Sequence, residues 1–168
     1  MKGVSRVQKT YAGLSYDAVV HQYAQTVASA CLMRLNNRAD AEDCFQNTFL
    51  KLYTSSPEFK DENHLKAWLI RVAVNECKNT LRTRGRTVPL DSAAQVPVFM
   101  QETDSGSAIA VLMKLSPKYR EVMYLYYCEG YKIDDTARIL GKSPNTVKTL
   151  LRRGREQFKK LYGGDDFE

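Results

Sequence analysis

The sequence lacks the features that mark several large classes of protein. No apolar run is long enough to span a bilayer, and no basic-then-apolar leader stands at the N-terminus. No Gly-rich phosphate loop and no nucleophile motif occur, and the two histidines, His21 and His64, have no partner at motif spacing. We therefore expect a cytoplasmic protein that is not inserted in a membrane and is not an enzyme.

The cysteines do not form a metal-binding pattern. Cys31, Cys44, Cys77 and Cys128 lie far apart, and no C-x-x-C pair is present. Their even number permits a disulfide, but a chain without a leader is expected in a reducing compartment, which favours buried free thiols. We expect no metal and no cofactor.

Positive charge is the property that the chain has in excess, because its formal net charge is +6 at pH 7. Such a balance favours an acidic partner, either nucleic acid or an anionic membrane, over a neutral small molecule. Many of the cations recur at helical spacing in the stretch from Tyr131 to Leu161. One face of that stretch is therefore suited to phosphate.

The same stretch predicts a helix-turn-helix. Ser143 is a good N-cap and Pro144 a good first helical residue, so a helix should start there, after a turn at Gly141 and Lys142. The second helix of such a motif offers its N-terminal residues to the DNA major groove. The alternative is an amphipathic helix whose cations only face solvent. The residues predicted to contact duplex DNA are Ser143, Asn145, Thr146, Lys148, Thr149, Arg152, Arg153 and Arg155.

A second polar stripe lies on a helix predicted from about His64 to Arg82. Along it an aromatic ring, amides and cations share one face, and such a face suits nucleic acid because a ring stacks on a base while cations hold phosphates. A core tryptophan beside ordinary surface arginines is an equal alternative. The stripe consists of Trp68, Arg71, Asn75, Lys78 and Arg82, with Asn79 beside it.

The whole pattern predicts an all-α protein made of two small helical domains joined by a flexible linker. The first domain spans 16–86, a proline-containing linker without helical pattern spans 87–106, and the second domain, with the helix-turn-helix, spans 107–162. Asp40 and Asn63 are the expected caps of the second and third helices. No strand alternation is visible, and Met1 to Ser15 is expected to be irregular.

These segments together resemble the extracytoplasmic-function group of bacterial sigma-70 RNA polymerase sigma factors. DAEDCFQNTFLKLY, from Asp40 to Tyr53, is similar to the polymerase-binding helix of that family, and HLKAWLIRVAVNECKNTLR is similar to its promoter-melting helix. LSPKYREV and the helix-turn-helix with TVK follow in the family's order. The sequence departs from the family pattern where Asn79 replaces a usual acid, Asn145 a usual glycine and Gly154 a usual alanine.

The resemblance implies a subunit that binds core RNA polymerase, recognises promoter DNA and helps to open it. The second domain would read the minus-35 element, and the stripe on the third helix, with Asn63 and His64 before it, would hold the melted minus-10 element. An anti-sigma factor is a further expected partner. The alternative is a helix-turn-helix regulator without a polymerase-subunit role. The residues implied to bind polymerase are Asp40, Glu42, Asp43, Gln46, Phe49 and Leu50.

Overall fold

The structure is a computed structural model, and it describes residues 8–35, 37–84 and 106–162. The predicted all-α class is confirmed, whereas nearly all of the predicted linker lies outside the described residues. A π-helical segment, Tyr124–Cys128, directly follows the helix that ends at Met123. The helices are α1 Tyr16–Arg34, α2 Arg38–Ser55, α3 Glu62–Thr83, α4 Gly106–Lys114, α5 Pro117–Met123, α6 Ile133–Leu140 and α7 Pro144–Tyr162.

A small β-hairpin precedes α1, so the expectation of an irregular, strand-free N-terminus was wrong for this part. Strand β1, Thr10–Tyr11, pairs antiparallel with β2, Leu14–Ser15. The two connecting residues, Ala12 and Gly13, both have positive φ, as the tight type I′ hairpin turn requires. The hairpin is held in place because the Tyr11 ring is buried against the helices.

The starts of α2 and α3 differ from the predicted ones. Asn37 caps α2, since its side chain accepts a hydrogen bond from Asp40 N at 3.2 Å, so Asp40 lies inside the first turn. Asp61 caps α3 by accepting from His64 N at 2.8 Å, and Asn63 is likewise inside the helix. Each predicted cap was therefore placed two or three residues too late.

Helices α1, α2 and α3 pack on one another around an aliphatic core. Each contributes a buried stripe at helical spacing, as Leu65, Leu69 and Ala73 do on α3. Burying a leucine or isoleucine side chain stabilises the fold by about 1.5–3 kcal/mol. The thiols of Cys31, Cys44 and Cys77 are free and buried, as expected, but Cys128 is exposed, which corrects the prediction for that residue.

Helices α4 to α7 form the second cluster, in which α7 crosses α5 closely. Gly154 is buried, and a Cβ at this position would lie 3.1 Å from Met123 Cγ, so the missing side chain permits the close crossing. Arg120 is only 2% exposed and donates to Met113 O at 3.1 Å, which satisfies a carbonyl at the end of α4. Burial lowers the pKa of Arg120 to about 10.

The two clusters also pack against each other, through α1 with α5 and α3 with α6. The sequence predicted two tethered units but contained no sign of this contact. Its consequence is that the helix-turn-helix lies beside α3, the helix that carries the predicted minus-10 stripe.

Candidate nucleic-acid and protein interfaces

The turn of the helix-turn-helix has the predicted geometry. Gly141 ends α6 with φ +64°, a left-handed conformation that favours glycine, and Lys142 N donates to Ala137 O at 2.9 Å. Ser143 Oγ accepts from Thr146 N at 3.1 Å, and Pro144 is the first residue of α7. The predicted N-cap at Ser143 is thus confirmed, and the start of α7 is fixed by local hydrogen bonds.

All eight side chains predicted to contact duplex DNA are exposed on α7 or at its cap. Their surroundings nevertheless differ. Arg152 forms a surface ion pair with Glu156 at 2.8 Å, and Arg155 donates to Tyr127 Oη at 3.1 Å. Within the described part of the chain, Arg153 has no hydrogen bond or ion pair with another residue. Arg153 is therefore the arginine of this face most available to a phosphate.

The stripe on α3 is only partly open to solvent. Arg71, Asn75, Asn79 and Arg82 are exposed or half-exposed, and Asn63 and His64 before them are exposed, whereas Trp68 is half-buried. The Trp68 ring packs edge-on against Phe59, with ring centroids 5.6 Å apart. Phe59 in turn meets His64 at 5.4 Å. The loop before α3 thus supplies one wall of an aromatic cluster.

Phe59 was missed by sequence reasoning, because it lies in a polar loop with no periodic pattern. Its place beside Trp68 becomes visible only when the loop folds back onto α3. Since the Trp68 ring retains some exposure, it is neither fully in the core nor free in solvent. A partly covered ring next to exposed cations is suited to stacking on a base.

Lys78, a further member of the stripe, has an internal partner. Its ammonium group donates to Leu140 O, at the end of α6, over 2.8 Å. Burial, and then the positive charges of Arg34 and Lys142, lower the pKa of Lys78, while Glu121 acts in the opposite direction. Lys78 therefore lies between the two clusters rather than on the open face of α3.

The residues implied to bind polymerase divide into accessible and buried sets. Glu42, Asp43, Gln46 and Leu50 are accessible, and Leu50 retains 57% of its accessible surface. Phe49 is buried with 4% exposure, and its ring contacts Phe45 edge-on at 5.1 Å.

Asp40 is the other buried member of this set, at 5% exposure, and its carboxylate lies 2.6 Å from Arg84 Nη2. An ion pair of this kind joins the start of α2 to the end of α3. Asp40 is therefore placed to hold the two helices together, while the accessible members face outward.

An apolar groove of about 510 Å³ runs between α1 and α2 beside these accessible residues. A second groove, of about 590 Å³, lies between α4, the π-helical segment and α7. Its floor is apolar, with Ile109, Leu112 and Phe158, and its rim carries Arg152, Arg155 and Lys159. Exposed apolar grooves with charged rims are typical of protein docking sites.

Within the described ranges no helix is long and apolar enough to cross a membrane. The same ranges contain no group of three or more histidine, cysteine or acidic side chains placed to hold a metal ion.

Comparison with known proteins gives matches to both clusters. The family model described as Sigma-70 region 2 matches residues 19–87, and that described as Sigma-70, region 4 matches residues 106–158. The ECF RNA polymerase sigma factor SigM of Mycobacterium tuberculosis is 34% identical over 139 residues, covering 79% of this chain and 70% of SigM. SigW of Bacillus subtilis, also an ECF sigma factor, is 27% identical over 160 residues, covering 84% of this chain and 86% of SigW.

Two solved structures are similar in fold. The sigma factor RpoE of Bartonella quintana, in complex with the anti-sigma factor NepR, superposes with a TM-score of 0.73 at 26% identity, covering 89% of this chain and 98% of RpoE. CnrH, in complex with the cytosolic domain of CnrY, gives a TM-score of 0.60 at 23% identity, covering 90% of this chain and 89% of CnrH. The second likeness concerns the fold alone.

Proposed function

Because this chain belongs to the extracytoplasmic-function group of RNA polymerase sigma factors, we propose that each of its exposed surfaces serves one step of promoter-directed initiation. The chain directs RNA polymerase to specific promoters. Three surfaces divide this activity: one for polymerase, one for melted DNA and one for duplex DNA. The main observation in support of this proposal is that the start of α7 is exposed and capped, and that Arg153 has no internal partner among the described residues.

We assign polymerase binding to the groove between α1 and α2. Leu50 and Gln46 line that groove, and Glu42 and Asp43, exposed on the preceding turn of α2, offer carboxylates that can pair with cations. Phe49 forms part of the groove lining, and Asp40 supports the surface through its ion pair with Arg84. Asp40 thus acts by positioning α2, whereas the Phe49 ring can contact a partner in the groove.

We assign capture of the melted minus-10 strand to α3 and the loop before it. Taking a base out of the duplex costs a few kcal/mol, and stacking on an aromatic ring returns about 1–3 kcal/mol per base. The Trp68 and Phe59 rings supply such a surface, with His64, Arg71 and Asn75 exposed beside it. Arg82 and Asn79 extend the same face toward the end of the helix.

We assign the minus-35 duplex to α7. Asn145, Thr146 and Lys148 stand in the first turns, where a recognition helix meets base edges, and Ser143 fixes the helix start. Thr149, Arg152 and Arg153 lie further along and suit the phosphates on either side. Arg155, whose guanidinium donates to Tyr127 Oη, also forms part of the basic rim of the second groove.

The partners that this function requires are core RNA polymerase and promoter DNA. An anti-sigma factor is a third proposed partner, since RpoE was solved with a bound anti-sigma factor. A subunit of this kind works where the polymerase is, so we place it in the cytoplasm. The chemistry of RNA synthesis belongs to the polymerase, and the chain needs no catalytic group of its own.

The test is transcription by core polymerase from the same organism with the purified chain, on a template that carries the DNA upstream of the chain's own gene. Addition of the chain should produce a defined transcript. Trp68→Ala should bind polymerase normally but fail on duplex templates, and a template already melted at the minus-10 element should restore transcription. Trp68→Phe, which keeps a ring against Phe59, is the matched control.

Two outcomes would contradict the assignment. A chain that binds duplex DNA without directing any transcript would be a regulator of the alternative kind. Failure of Trp68→Ala on the melted template as well, together with a lowered melting temperature, would mean that the ring serves only the core.

A further inference from the structure

The second groove combines an apolar floor with a positively charged rim. Ile109 and Phe158, both half-buried, lie on its floor, and Tyr127 beside them is 53% exposed. The rim carries three cations against a single carboxylate, that of Glu156, so its net charge is positive. A groove of this kind fits a ligand that joins an apolar group to negative charge.

The cations of the rim retain hydrogen-bond donors for such a ligand. Arg155 uses one N–H on Tyr127 Oη, at 3.1 Å, and a guanidinium group has five. Arg152 pairs with Glu156 at 2.8 Å, but both side chains are more than half exposed, so water competes for this ion pair. Lys159 is exposed at the same rim. A carboxylate can therefore bind at the rim without breaking a buried contact.

The six residues that follow α7 have the composition that this groove fits. They read Gly-Gly-Asp-Asp-Phe-Glu, from Gly163 to Glu168, so one aromatic ring stands between carboxylates. A phenylalanine ring buries about 150–250 Å² of surface when it is enclosed. The carboxylates on either side of the Phe167 ring are complementary to the basic rim.

The helical period directs the chain toward the groove where it leaves α7, which ends at Tyr162. Counted from Arg152, the rim residues of α7 fall at i, i+3, i+4 and i+7, and Gly163, at i+11, belongs to the same face. A glycine directly after a helix commonly adopts the left-handed conformation that turns the chain back. The segment therefore starts beside the rim.

The length of the segment matches the distance back to the groove. Arg155 lies seven residues before Tyr162, which is about 10 Å along the helix axis. Phe167 is the third residue after the two glycines, and an extended chain covers about 10 Å in three residues. A turn at Gly163 and Gly164 therefore brings the Phe167 ring level with Arg155, in the middle of the groove.

We propose that residues 163–168 fold back into the second groove, with the Phe167 ring on its apolar floor and the three carboxylates at its basic rim. The groove is then a binding site for an aromatic residue flanked by acids, and its occupant is a segment of the same chain. A short covalent connection gives the segment an effective concentration of about millimolar. That concentration is enough for a contact too weak to persist between separate molecules.

Occupation of the groove also affects duplex DNA binding, and this consequence rests on the proposed function. Arg152 and Arg155 belong both to the rim and to the residues assigned to duplex DNA. A carboxylate bound to them competes with a phosphate for the same donors. A segment docked in about two-thirds of the free molecules reduces the apparent affinity for duplex DNA about threefold.

The test places a single tryptophan in the segment. Trp68 is the only tryptophan of the chain, so Phe167→Trp in a Trp68→Phe background has one fluorescent reporter. Acrylamide, a neutral quencher, measures the exposure of that ring in the full chain, and the free peptide GGDDWE gives the value for an exposed ring. Docking should shift the emission to the blue and lower the quenching constant about threefold relative to the peptide.

Two neighbouring lysines of α7 provide a matched pair of variants. Lys159→Glu reverses a charge at the rim and should raise the quenching constant toward that of the peptide. Lys160→Glu makes the same change at an exposed residue outside the groove lining and should leave the quenching constant unchanged. Asp165→Asn combined with Asp166→Asn should release the ring as Lys159→Glu does.

DNA binding separates docking from its consequence. Phe167→Ala changes no charge, so its effect on affinity reports release of the segment rather than loss of negative charge. Fluorescence anisotropy with a short labelled duplex should show about threefold tighter binding by this variant. Quenching as expected with unchanged DNA affinity would refute the assignment of Arg152 and Arg155 to phosphates and leave docking intact.

Three outcomes would overturn docking itself. The first is a quenching constant in the full chain equal to that of the free peptide. The second is an equal rise for Lys159→Glu and Lys160→Glu, which would indicate a general attraction to positive charge. The third is quenching that depends on protein concentration, which would place the segment in the groove of a second copy.

Discussion

Substitutions of Ser143 can separate its role as the N-cap of α7 from its proposed role in DNA binding. Its hydroxyl oxygen accepts from Thr146 N at 3.1 Å and lies 2.8 Å from the Thr146 hydroxyl, at the N-terminus of the helix assigned to duplex DNA. Removing such a cap costs about 1 kcal/mol, within a range of about 0.5–2 kcal/mol. Ser143→Ala should therefore lower the free energy of unfolding by about that amount.

Ser143→Asn and Ser143→Asp should both preserve stability, because each side chain can accept the same hydrogen bond. The aspartate gains about 0.3–1 kcal/mol more from its charge at the helix N-terminus. The DNA affinities of the Asn and Asp variants should differ. A carboxylate about 7 Å from a phosphate is repelled by roughly 0.6 kcal/mol in water, which corresponds to about threefold weaker binding.

Urea unfolding gives the stabilities, and fluorescence anisotropy with a short labelled duplex gives the affinities, with Asn as the neutral match for Asp. The expected order of stability is Asp, then Asn and Ser together, then Ala; the expected order of affinity places Asp last. Equal affinities for Asn and Asp at low salt would refute the orientation of α7 toward DNA. A destabilised Asp variant would refute the cap.

Two other predictions concern charge and thiol exposure. Arg153→Ala should reduce the slope of log K against log salt by about 1 in the same anisotropy assay, and an unchanged slope would contradict its phosphate role. Arg152→Ala should weaken DNA binding more than Arg153→Ala does, because it also leaves Glu156 unpaired beside the phosphates. In the folded chain a maleimide should label Cys128 alone, because Cys31, Cys44 and Cys77 are buried, and it should do so slowly at pH 7, because the partial burial of the Cys128 sulfur raises its pKa. Contact with Cys77 and burial raise the pKa of Cys44, and contact with Cys31 and burial raise the pKa of Cys77. Mass spectrometry showing a second label without unfolding would contradict the buried core.

The helix-turn-helix could be predicted from sequence because its signals are local. A serine cap, a proline and a glycine within four residues each act through their own backbone, so no distant part of the chain is needed to interpret them. The caps of α2 and α3 were less certain for a related reason. Asn37 and Asp40 are both good caps, and the choice between them depends on where the preceding chain turns, which a single sequence does not specify.

The features that sequence reasoning missed are those made by distant segments. Phe59 comes to Trp68 through a folded loop, and Tyr11 joins the core through a hairpin of two-residue strands, which are too short to show alternation. The burial of Phe49 and Asp40 could not be predicted from sequence either, because α2 is apolar on more than one side. A residue that a family pattern marks as a contact, such as Asp40, can thus act by positioning the helix that carries the contact surface.

Lys78 shows how one cation can fit a sequence pattern for DNA binding and also have a partner inside the protein. On α3 its spacing places it with Trp68 and Arg71, on a face typical of nucleic-acid binding, while in the structure it is bound to the Leu140 carbonyl. An ammonium group has three N–H donors, so the bond to the Leu140 carbonyl leaves two of them for other acceptors. Lys78 can therefore join α3 to the end of α6 and still offer a donor to a phosphate at the edge of the α3 face.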